Sequence, residues 1–208
     1  SALIGSGNKS HWLPRNISFP LGCDSWFHRA MINQGLGGLI WAQNATNFSI
    51  TGGGLLDGAG LYFNHLFTER SNMFVFVSCS DVVVQDLQIR NSSAWTLNPL
   101  FSKRLRFQRL HISQGHIPDH HSNTDGFNPT NSEDVEFLDS YYEGPGDDCV
   151  AIKSGLQVNG VPFVDICNRP SRNIRVDNVT CIAAHGITIG SELSGGIENV
   201  TFTNSRIL

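Results

Sequence analysis

Short runs in which apolar and polar residues alternate recur along the 208-residue chain, and each run follows an Asn, Asp or Arg. This alternation has the period of a β-strand, and no stretch sustains the period of an amphipathic helix. The intervals between the runs are 34, 23, 30, 39 and 26 residues, which indicates a base repeat lengthened by loops. The first apolar residues of the runs are Phe48, Val82, Leu105, Val135, Ile174 and Val200.

Each run is preceded by a second strand-like segment, such as residues 73–77 or 149–152. A unit of two or three short strands cannot bury its apolar face alone, but stacked units pair each strand with its counterpart one coil away. The pattern therefore predicts an all-β parallel solenoid. A β-sandwich would place Asn-Gly or Asp-Gly between hairpin strands. Neither Asp57-Gly58 nor Asp125-Gly126 is flanked in that way.

The repeat has no clear break, which predicts one domain over residues 1–208. Residues 1–35 are rich in Gly, Pro and Trp and fit an irregular N-terminal arm or part of an end cap. Residues 156–170 contain Pro162 and Pro170 and fit an inserted surface loop. The last repeat runs to Leu208, where an open solenoid end would expose unpaired strand edges. We therefore expect the chain to be truncated within the solenoid at its C-terminal end.

Composition limits the function classes. The net charge of −4 argues against a nucleic-acid partner, and no apolar run is long enough to cross a membrane. The same charge implies that any attraction to an acidic polymer is local. Five cysteines favour an oxidising, extracellular setting, although an odd number leaves at least one unpaired within the chain. Seven Asn-x-Ser/Thr sequons also favour secretion, at Asn8, Asn16, Asn44, Asn47, Asn91, Asn178 and Asn199.

Three polar motifs interrupt the strand that precedes the repeated run in successive coils. Asp125 and Asp148 are 23 residues apart, which equals the base repeat, and His185 follows 37 residues later, after the inserted loop. Strands one coil apart are about 4.8 Å apart, so these side chains can meet on one wall. Simple alternation does not place Asp147 and Asp148 on the same face, so we expect a bend or bulge that turns both outward.

Carboxyl groups held close together acquire different pKa values, which provides an acid and a base in one site. Glycosidic hydrolysis needs that division, because one carboxylic acid protonates the leaving oxygen while a carboxylate activates water or attacks the sugar. Taken singly, Asn123-Thr124-Asp125-Gly126 is typical of a turn, Asp147-Asp148 of a calcium site or solvated turn, and His185 of a structural histidine. Their common register favours catalysis, and we expect no metal and no cofactor.

The motifs resemble those of the polygalacturonases, glycoside hydrolase family 28. The family order is NTD, then GDDCxAIKSG, then GHGxxIGS, then RIK. Here residues 123–125 are NTD, residues 146–155 are GDDCVAIKSG and residues 184–191 are AHGITIGS. The likeness extends from residues 50–54 to the end of the chain. It implies a right-handed parallel β-helix that hydrolyses α-1,4-linked galacturonan, a pectic polysaccharide, with inversion.

The resemblance also implies residue roles. Asp147 would be the general acid, and Asp125 and Asp148 would hold and activate water as the base. His185 would support the site through a carboxyl or the sugar. Asn123 and Lys153 would bind or orient the substrate. The family pattern further implies a disulfide between Cys149 and Cys181 that braces the acids, and leaves the pairing of Cys23, Cys79 and Cys167 open.

Two departures from the family pattern stand out. Ala184 replaces the Gly before the motif histidine. The RIK motif, whose Arg and Lys would contact the substrate carboxylate, is absent, because Arg206-Ile207-Leu208 arrives too early and lacks the Lys. We therefore expect this last segment to be part of the final strand. The resemblance implies an enzyme, and the missing basic clamp predicts impaired activity of the chain as given. Residues 191–196 resemble the version found in exo-acting members.

Four histidines flank the acids and would attract polyuronate locally when protonated, if they do not simply line a solvated loop. They are His111, His116, His120 and His121. We expect a secreted monomer whose partner is pectic polysaccharide. The rival functions are a pectate-lyase-like enzyme that uses calcium and an Arg base, and a non-catalytic carbohydrate-binding fragment. Related substrates such as rhamnogalacturonan or xylogalacturonan stay open.

Overall fold

The computed structural model describes residues 1–6, 35–36, 38–60, 70–115, 123–155 and 169–208. No described residue belongs to a helix long and apolar enough to cross a membrane. The described residues form sixteen strands: β1 (Ala2–Ile4), β2 (Gly35–Leu36), β3 (Ile40–Gln43), β4 (Thr46–Thr51), β5 (Leu55–Asp57), β6 (Arg70–Ser71), β7 (Phe74–Val77), β8 (Ser80–Arg90), β9 (Leu97–Leu100), β10 (Lys103–Ser113), β11 (Glu133–Glu143), β12 (Val150–Ile152), β13 (Ser171–Ile182), β14 (Ile187–Ile189), β15 (Ile197–Thr203) and β16 (Arg206–Ile207).

A nine-stranded sheet, in which every pair is parallel, forms the larger wall of the molecule. Its main order is β1-β5-β8-β10-β11-β13-β15, with β4 paired to β8 and β16 paired to β13. The apolar residues that begin the repeated runs in the sequence pair with one another in the predicted order: Phe48 with Val82, then Leu105, Val135, Ile174 and Val200. The parallel β-helix fold, right-handed as the resemblance implies, is confirmed.

A second wall consists of the strand that precedes the large sheet in each coil. Strands β3, β7 and β9 form its first part, and β12 and β14 form its last part. Isolated parallel bridges at Phe127 and Thr130 join the two parts. One row of this wall therefore runs through Ile40, Phe74, Leu97, Phe127, Val150 and Ile187. This second wall carries the polar motifs.

The Asn, Asp or Arg before each repeated run forms the corner at which the chain enters the large sheet. All six of these residues have a positive φ, between 50° and 58°. Asn and Asp tolerate this left-handed conformation better than other residues with a side chain, so they are suited to the corner. They are Asn47, Asp81, Arg104, Asp134, Asn173 and Asn199.

Arg104 has no intrinsic preference for this conformation, but its side chain gains an ion pair there. Its Nε and Nη2 atoms donate to both carboxylate oxygens of Asp81 at 2.7 Å. Further along the row, Asn173 donates to Asp134 and Asn199 donates to Asn173, each at 2.8 Å. The corner residues thus bond from coil to coil and reinforce the backbone register.

The interior is filled by apolar side chains from both walls. Phe107 from the large sheet lies between Phe76 and Phe127 of the second wall, with ring centroids 6.2 and 5.6 Å away, and Phe127 stacks on Phe137 at 4.9 Å. All four rings are completely buried. Because aromatic rings bury large apolar areas, this column contributes strongly to the stability of the central coils.

The sequence expectations for the chain ends require one correction. The predicted irregular arm, residues 1–35, is not irregular at its start, because β1 pairs in parallel with β5 in the large sheet. Its last residue, Gly35, lies in β2, and residues 7–34 lie outside the described residues. Most of the predicted loop, residues 156–168, is also outside them. Arg206-Ile207 pairs with Thr180-Cys181, so its assignment to the final strand is confirmed.

The corner row makes a testable prediction at Asn173, whose φ is 54°. Replacing Asn173 with Ala keeps a Cβ in the left-handed conformation and removes the amide, whereas Gly removes both the amide and the strain. We expect N173A to be less stable than N173G by about 1 kcal/mol, and both to be less stable than the parent. Urea denaturation measures the difference. Equal or greater stability of N173A would contradict this account of the corners.

Candidate active site

The polar motifs occupy equivalent positions in three consecutive coils of the second wall. Phe127 bridges to Val150, and Val150 pairs with Ile187, which places Asp125, Asp148 and His185 in one row. The backbone N–H of Gly126 donates to the carbonyl of Asp148 at 3.0 Å. The predicted juxtaposition of Asp125, Asp148 and His185 is therefore confirmed.

A turn at residues 145–147 lets two successive aspartates point to the same side. The N–H of Asp148 donates to Asp147 Oδ1 at 2.9 Å, and the N–H of His185 donates to the carbonyl of Asp147 at 3.1 Å. As a result, one oxygen from each carboxylate and a ring nitrogen of His185 lie within 4.8 Å of one another. The expected bend is confirmed, in the form of a tight turn.

Asp125 is the buried member of the group, with only 2% of its surface exposed. Its Oδ2 accepts a hydrogen bond from Asn128 Nδ2 at 2.6 Å. Burial raises the pKa of Asp125 to about 7, and the nearby charge of Asp147 adds to the rise, while Lys153 opposes it. At weakly acidic pH this carboxyl therefore retains its proton.

Asp148 is partly buried and has one described side-chain partner, Thr188, whose Oγ1 donates to Asp148 Oδ2 at 3.0 Å. Burial raises the pKa of Asp148, and Asp147 raises it further. The Thr188 hydrogen bond and the charges of Lys153 and His185 act in the opposite direction. Asp148 is thus a second carboxyl that ionises less readily than a free aspartate.

Asp147 is accessible to solvent, with 21% of its side chain exposed. Its Oδ2 accepts a hydrogen bond from Asn123 Nδ2 at 3.2 Å, and its Oδ1 lies 3.5 Å from Nδ1 of the largely exposed His185. Asn123 in turn accepts a hydrogen bond from Arg70 Nη2 at 3.0 Å. The geometry agrees with the expected supporting positions of Asn123 and His185, and their roles stay predictions.

The sequence predicts that Lys153 binds substrate, but the residue is only 6% exposed and its ammonium group is bonded within the protein. Its Nζ donates to Glu192 Oε2 at 2.7 Å and to the carbonyl of Gly190 at 3.2 Å. It also lies 5.1 Å from the ring centre of Trp95. Substrate binding by Lys153 stays a prediction, whereas its contribution to the local electrostatic potential follows from its position.

A disulfide joins Cys149 to Cys181, with a Cα–Cα distance of 5.8 Å, as the resemblance implies. Cys149 directly follows Asp148, and Cys181 lies in β13, where it pairs with Tyr142 of the preceding coil. The bond therefore links adjacent coils beside the acids. Cys79 is a buried free thiol. Cys23 and Cys167 lie outside the described residues.

The histidine cluster expected beside the acids is only partly within the described chain. His111 lies in β10 of the large sheet, with its ring 4.7 Å from that of Tyr141. The other three, at positions 116, 120 and 121, lie outside the described residues. The oxygens of the acid group already accept hydrogen bonds from Asn123, Asn128 and Thr188. The absence of a metal stays a prediction.

Two residues of the site were not found from the sequence. Arg70 stands outside the polar motifs, and its only sequence signal is a charged residue just before a strongly apolar run, residues 73–77. Glu192 lies in the segment compared with exo-acting proteins, but nothing in the sequence pairs it with Lys153. Both are buried and charged, which is uncommon unless such a group is paired or functional.

Comparison with known proteins places the chain in a family. The family described as glycosyl hydrolases family 28 matches residues 24–208. A probable polygalacturonase of Vitis vinifera is 32% identical over 78% of this chain and 33% of its own length. A putative galacturan 1,4-alpha-galacturonidase C of Aspergillus niger is 29% identical over 97% of this chain and 44% of its own length. The chain thus spans less than half the length of these relatives.

Two solved structures share the fold. An exopolygalacturonase from Thermotoga maritima superposes with a TM-score of 0.79 and 23% identity, over 98% of this chain and 52% of that protein. A polygalacturonase from Erwinia carotovora superposes with a TM-score of 0.74 and 20% identity, over 99% of this chain and 54% of that protein. At these identities the likeness concerns the fold alone.

The raised pKa of Asp125 predicts a pH-dependent stability. Its folded-state pKa of about 7 lies above the ordinary value of 3.8, so the folded protein binds an extra proton between these values. This group therefore makes the protein less stable as pH rises through that window. In D125N the free energy of unfolding should fall less between pH 5 and pH 8 than in the parent, as measured by urea denaturation.

Asp177 offers a matched control, because hydrogen bonds from Thr203 and Asn204 lower its pKa and its ionisation is complete before pH 5. D177N should change stability equally at pH 5 and pH 8. A D125N variant whose stability follows pH in parallel with the parent would contradict the raised pKa.

The disulfide makes a second prediction. Cys149 and Cys181 are 32 residues apart, and a crosslink over such a loop contributes about 3–4 kcal/mol by restricting the unfolded chain. We expect C149S/C181S to lower the free energy of unfolding by about this amount in non-reducing urea denaturation. C79S, which alters a buried thiol without removing a crosslink, serves as the control. A loss no larger than that of C79S would show that the bond has no stabilising role.

Proposed function

Since this chain belongs to glycosyl hydrolases family 28, we propose that it hydrolyses α-1,4-galacturonosidic bonds of pectic polysaccharide. Asp147 is the general acid, and Asp125 and Asp148 hold and activate the water. The observation that carries the proposal is that three carboxylates from two adjacent coils lie together on one wall. The Cys149–Cys181 disulfide lies beside them. Two of these carboxyls have a raised pKa.

A general acid must carry a proton at the working pH and must reach the oxygen of the leaving sugar. Asp147 meets the second condition, because 21% of its side chain is exposed. The first condition is the one that replacement of Asp147 by Asn tests, because an amide cannot give up that proton.

The base must hold a water molecule against the sugar. Asp148 is suited to this role because it is only partly buried and Thr188 fixes one of its oxygens. Asp125 lies behind it, held by Asn128. His185 is exposed, whereas the three aspartates are buried or partly buried. It lies beside Asp147, where it can contact the sugar or the acid.

The stereochemical course of the reaction is part of the proposal. The family resemblance implies inversion, in which carboxyl groups are typically about 6.5–9.5 Å apart. Here an oxygen of Asp147 lies within 4.8 Å of an oxygen of Asp148. That separation is closer to the range of about 5–5.5 Å typical of retaining enzymes. We propose inversion with the water held between Asp148 and the buried Asp125, and the configuration of the first product decides between the two courses.

Residues 191–196 support removal of sugars from chain ends, because they resemble the exo-acting version of this segment. The disulfide and the sequons support an extracellular protein, since disulfides persist in oxidising compartments. A pectate-lyase-like reaction remains the second candidate because it would use the same fold. It would require calcium and would yield an unsaturated product.

The decisive variant is D147N. It keeps the shape of the side chain but removes the proton that protonates the leaving oxygen, and we expect the release of reducing ends from polygalacturonate to fall by about 10²-fold or more. The assay uses the 208-residue chain and any longer natural form that contains it. E198Q removes an exposed carboxyl of β15 and should leave the rate unchanged.

Product analysis separates the alternatives. Hydrolysis that survives EDTA, with β-configured first products by NMR and no ultraviolet absorbance, supports the proposal. Calcium-dependent release of an absorbing product indicates the lyase. Full activity of D147N would refute the acid assignment. Binding of polygalacturonate without turnover, in every natural form, would indicate a carbohydrate-binding protein.

A further inference from the structure

Arg70 is a buried cation outside the sequence motifs that reaches the acid group from two coils away. It stands four residues before Phe74, as Asn123 stands four residues before Phe127, and these two phenylalanines are joined in register through Leu97. The Arg70 and Asn123 side chains together therefore bridge two coil spacings, about 10 Å along the stack. Only 2% of Arg70 is exposed.

The coil between them leaves room for this side chain. At the same row it presents Ser93, a short side chain whose hydroxyl donates to the carbonyl of Ser71 at 2.8 Å. The N–H of Ser71 in turn donates to the Ser93 hydroxyl at 3.1 Å. Ser93 is thus held in the wall by its own hydrogen bonds. Arg70 Nη2 reaches past this coil and donates to Asn123 in the coil beyond it.

The contact with Arg70 determines which way the Asn123 amide faces. An asparagine side chain has one acceptor oxygen and one donor nitrogen, and a guanidinium can only donate. When Arg70 occupies Oδ1, Nδ2 is left to donate to Asp147 Oδ2, as observed at 3.2 Å. The reversed amide would set an NH2 group against the guanidinium and a carbonyl against the carboxylate, and both contacts would be repulsive.

Arg70 also places a positive charge near the carboxylates of Asp147 and Asp125. Burial lowers the pKa of Arg70, but the charges of Asp147 and Asp125 raise it, and an arginine remains protonated in proteins. Among the described residues, the other ionisable groups that face Asp147 are Asp125, Asp148 and His185. Lys153 acts on Asp125 and Asp148 and is itself paired with Glu192.

We infer that Arg70 is a positioning residue for Asp147. Through the Asn123 amide it fixes the orientation of that carboxyl, and its buried positive charge attracts the carboxylate that remains after the proton is given up. The link to catalysis rests on the proposed function, in which Asp147 is the acid. The Arg70–Asn123–Asp147 contact itself does not depend on that proposal.

The test compares R70Q, R70K and N123A with R90Q, whose parent Arg90 pairs with Asp57 away from the site. We expect R70Q to lower kcat by about 10–100-fold with little change in KM, because the acid is displaced while sugar contacts remain. R70Q should also move the titration of Asp147 to higher pH, since a nearby cation is lost. Carbon-13 NMR of the aspartate carboxyls, assigned with D147N, measures this without turnover.

R70K keeps the positive charge but not the geometry of the guanidinium. In R70K we therefore expect Asp147 to titrate as in the parent, and kcat to be lower than in the parent. N123A should lower kcat as R70Q does while leaving Arg70 in place, and R90Q should change neither quantity. If R70Q does not fold, as judged by circular dichroism, R70K and N123A decide. Parental kcat and an unchanged Asp147 titration in folded variants would overturn the inference.

The same measurements separate this inference from the proposed function. A shifted Asp147 titration in R70Q, in a protein that releases no reducing ends, supports the coupling and refutes the hydrolase. If the parent hydrolyses polygalacturonate but the Asp147 titration and kcat are unchanged in R70Q, the hydrolase is supported and the coupling is refuted.

Discussion

Parallel hydrogen bonding between coils holds each residue about 4.8 Å from its counterpart one turn away, whatever the length of chain between them. The step from Phe127 to Val150 takes 23 residues and the step from Val150 to Ile187 takes 37, yet both pairs are in register. The extra residues of the longer step therefore do not disturb the register of the wall. Because the register is preserved, residues far apart in sequence form one row of acids and a histidine.

The corners make this register predictable. An Asn, Asp or Arg before each apolar run indicated where the chain turns, and all six such residues adopt a left-handed conformation there. The alternating pattern then gave the partner of each strand. The start of the chain was not predictable in the same way. Residues 2–4 lie in the large sheet, but three residues carry too little periodicity to distinguish a strand from an arm.

The site was predictable where its reactive residues lie in motifs that recur with the repeat of the coils. Asp125, Asp147, Asp148 and His185 meet because the wall is regular, and the disulfide beside them follows the family pattern. Arg70 and Glu192 were not predictable, because each acts through a long side chain that crosses one or two coils. Periodicity gives the row of a residue but not how far its side chain reaches. The Lys153–Glu192 ion pair shows the same limit of sequence periodicity. The GDDCVAIKSG motif indicates a cation near the acids, but it does not indicate that Glu192 is the buried partner of this cation.

The balance of charge on this wall is relevant to the acidic substrate that we propose. Glu192 neutralises Lys153, so Arg70 is the one other described cation buried beside the three aspartates. A fully ionised group would repel a polyuronate, and the net charge of −4 would not compensate. Burial of Asp125 changes this balance, because it keeps that carboxyl protonated up to about pH 7 and removes one negative charge from the wall. The burial that keeps Asp125 protonated therefore also lowers the electrostatic cost of bringing the proposed uronate chain to this wall.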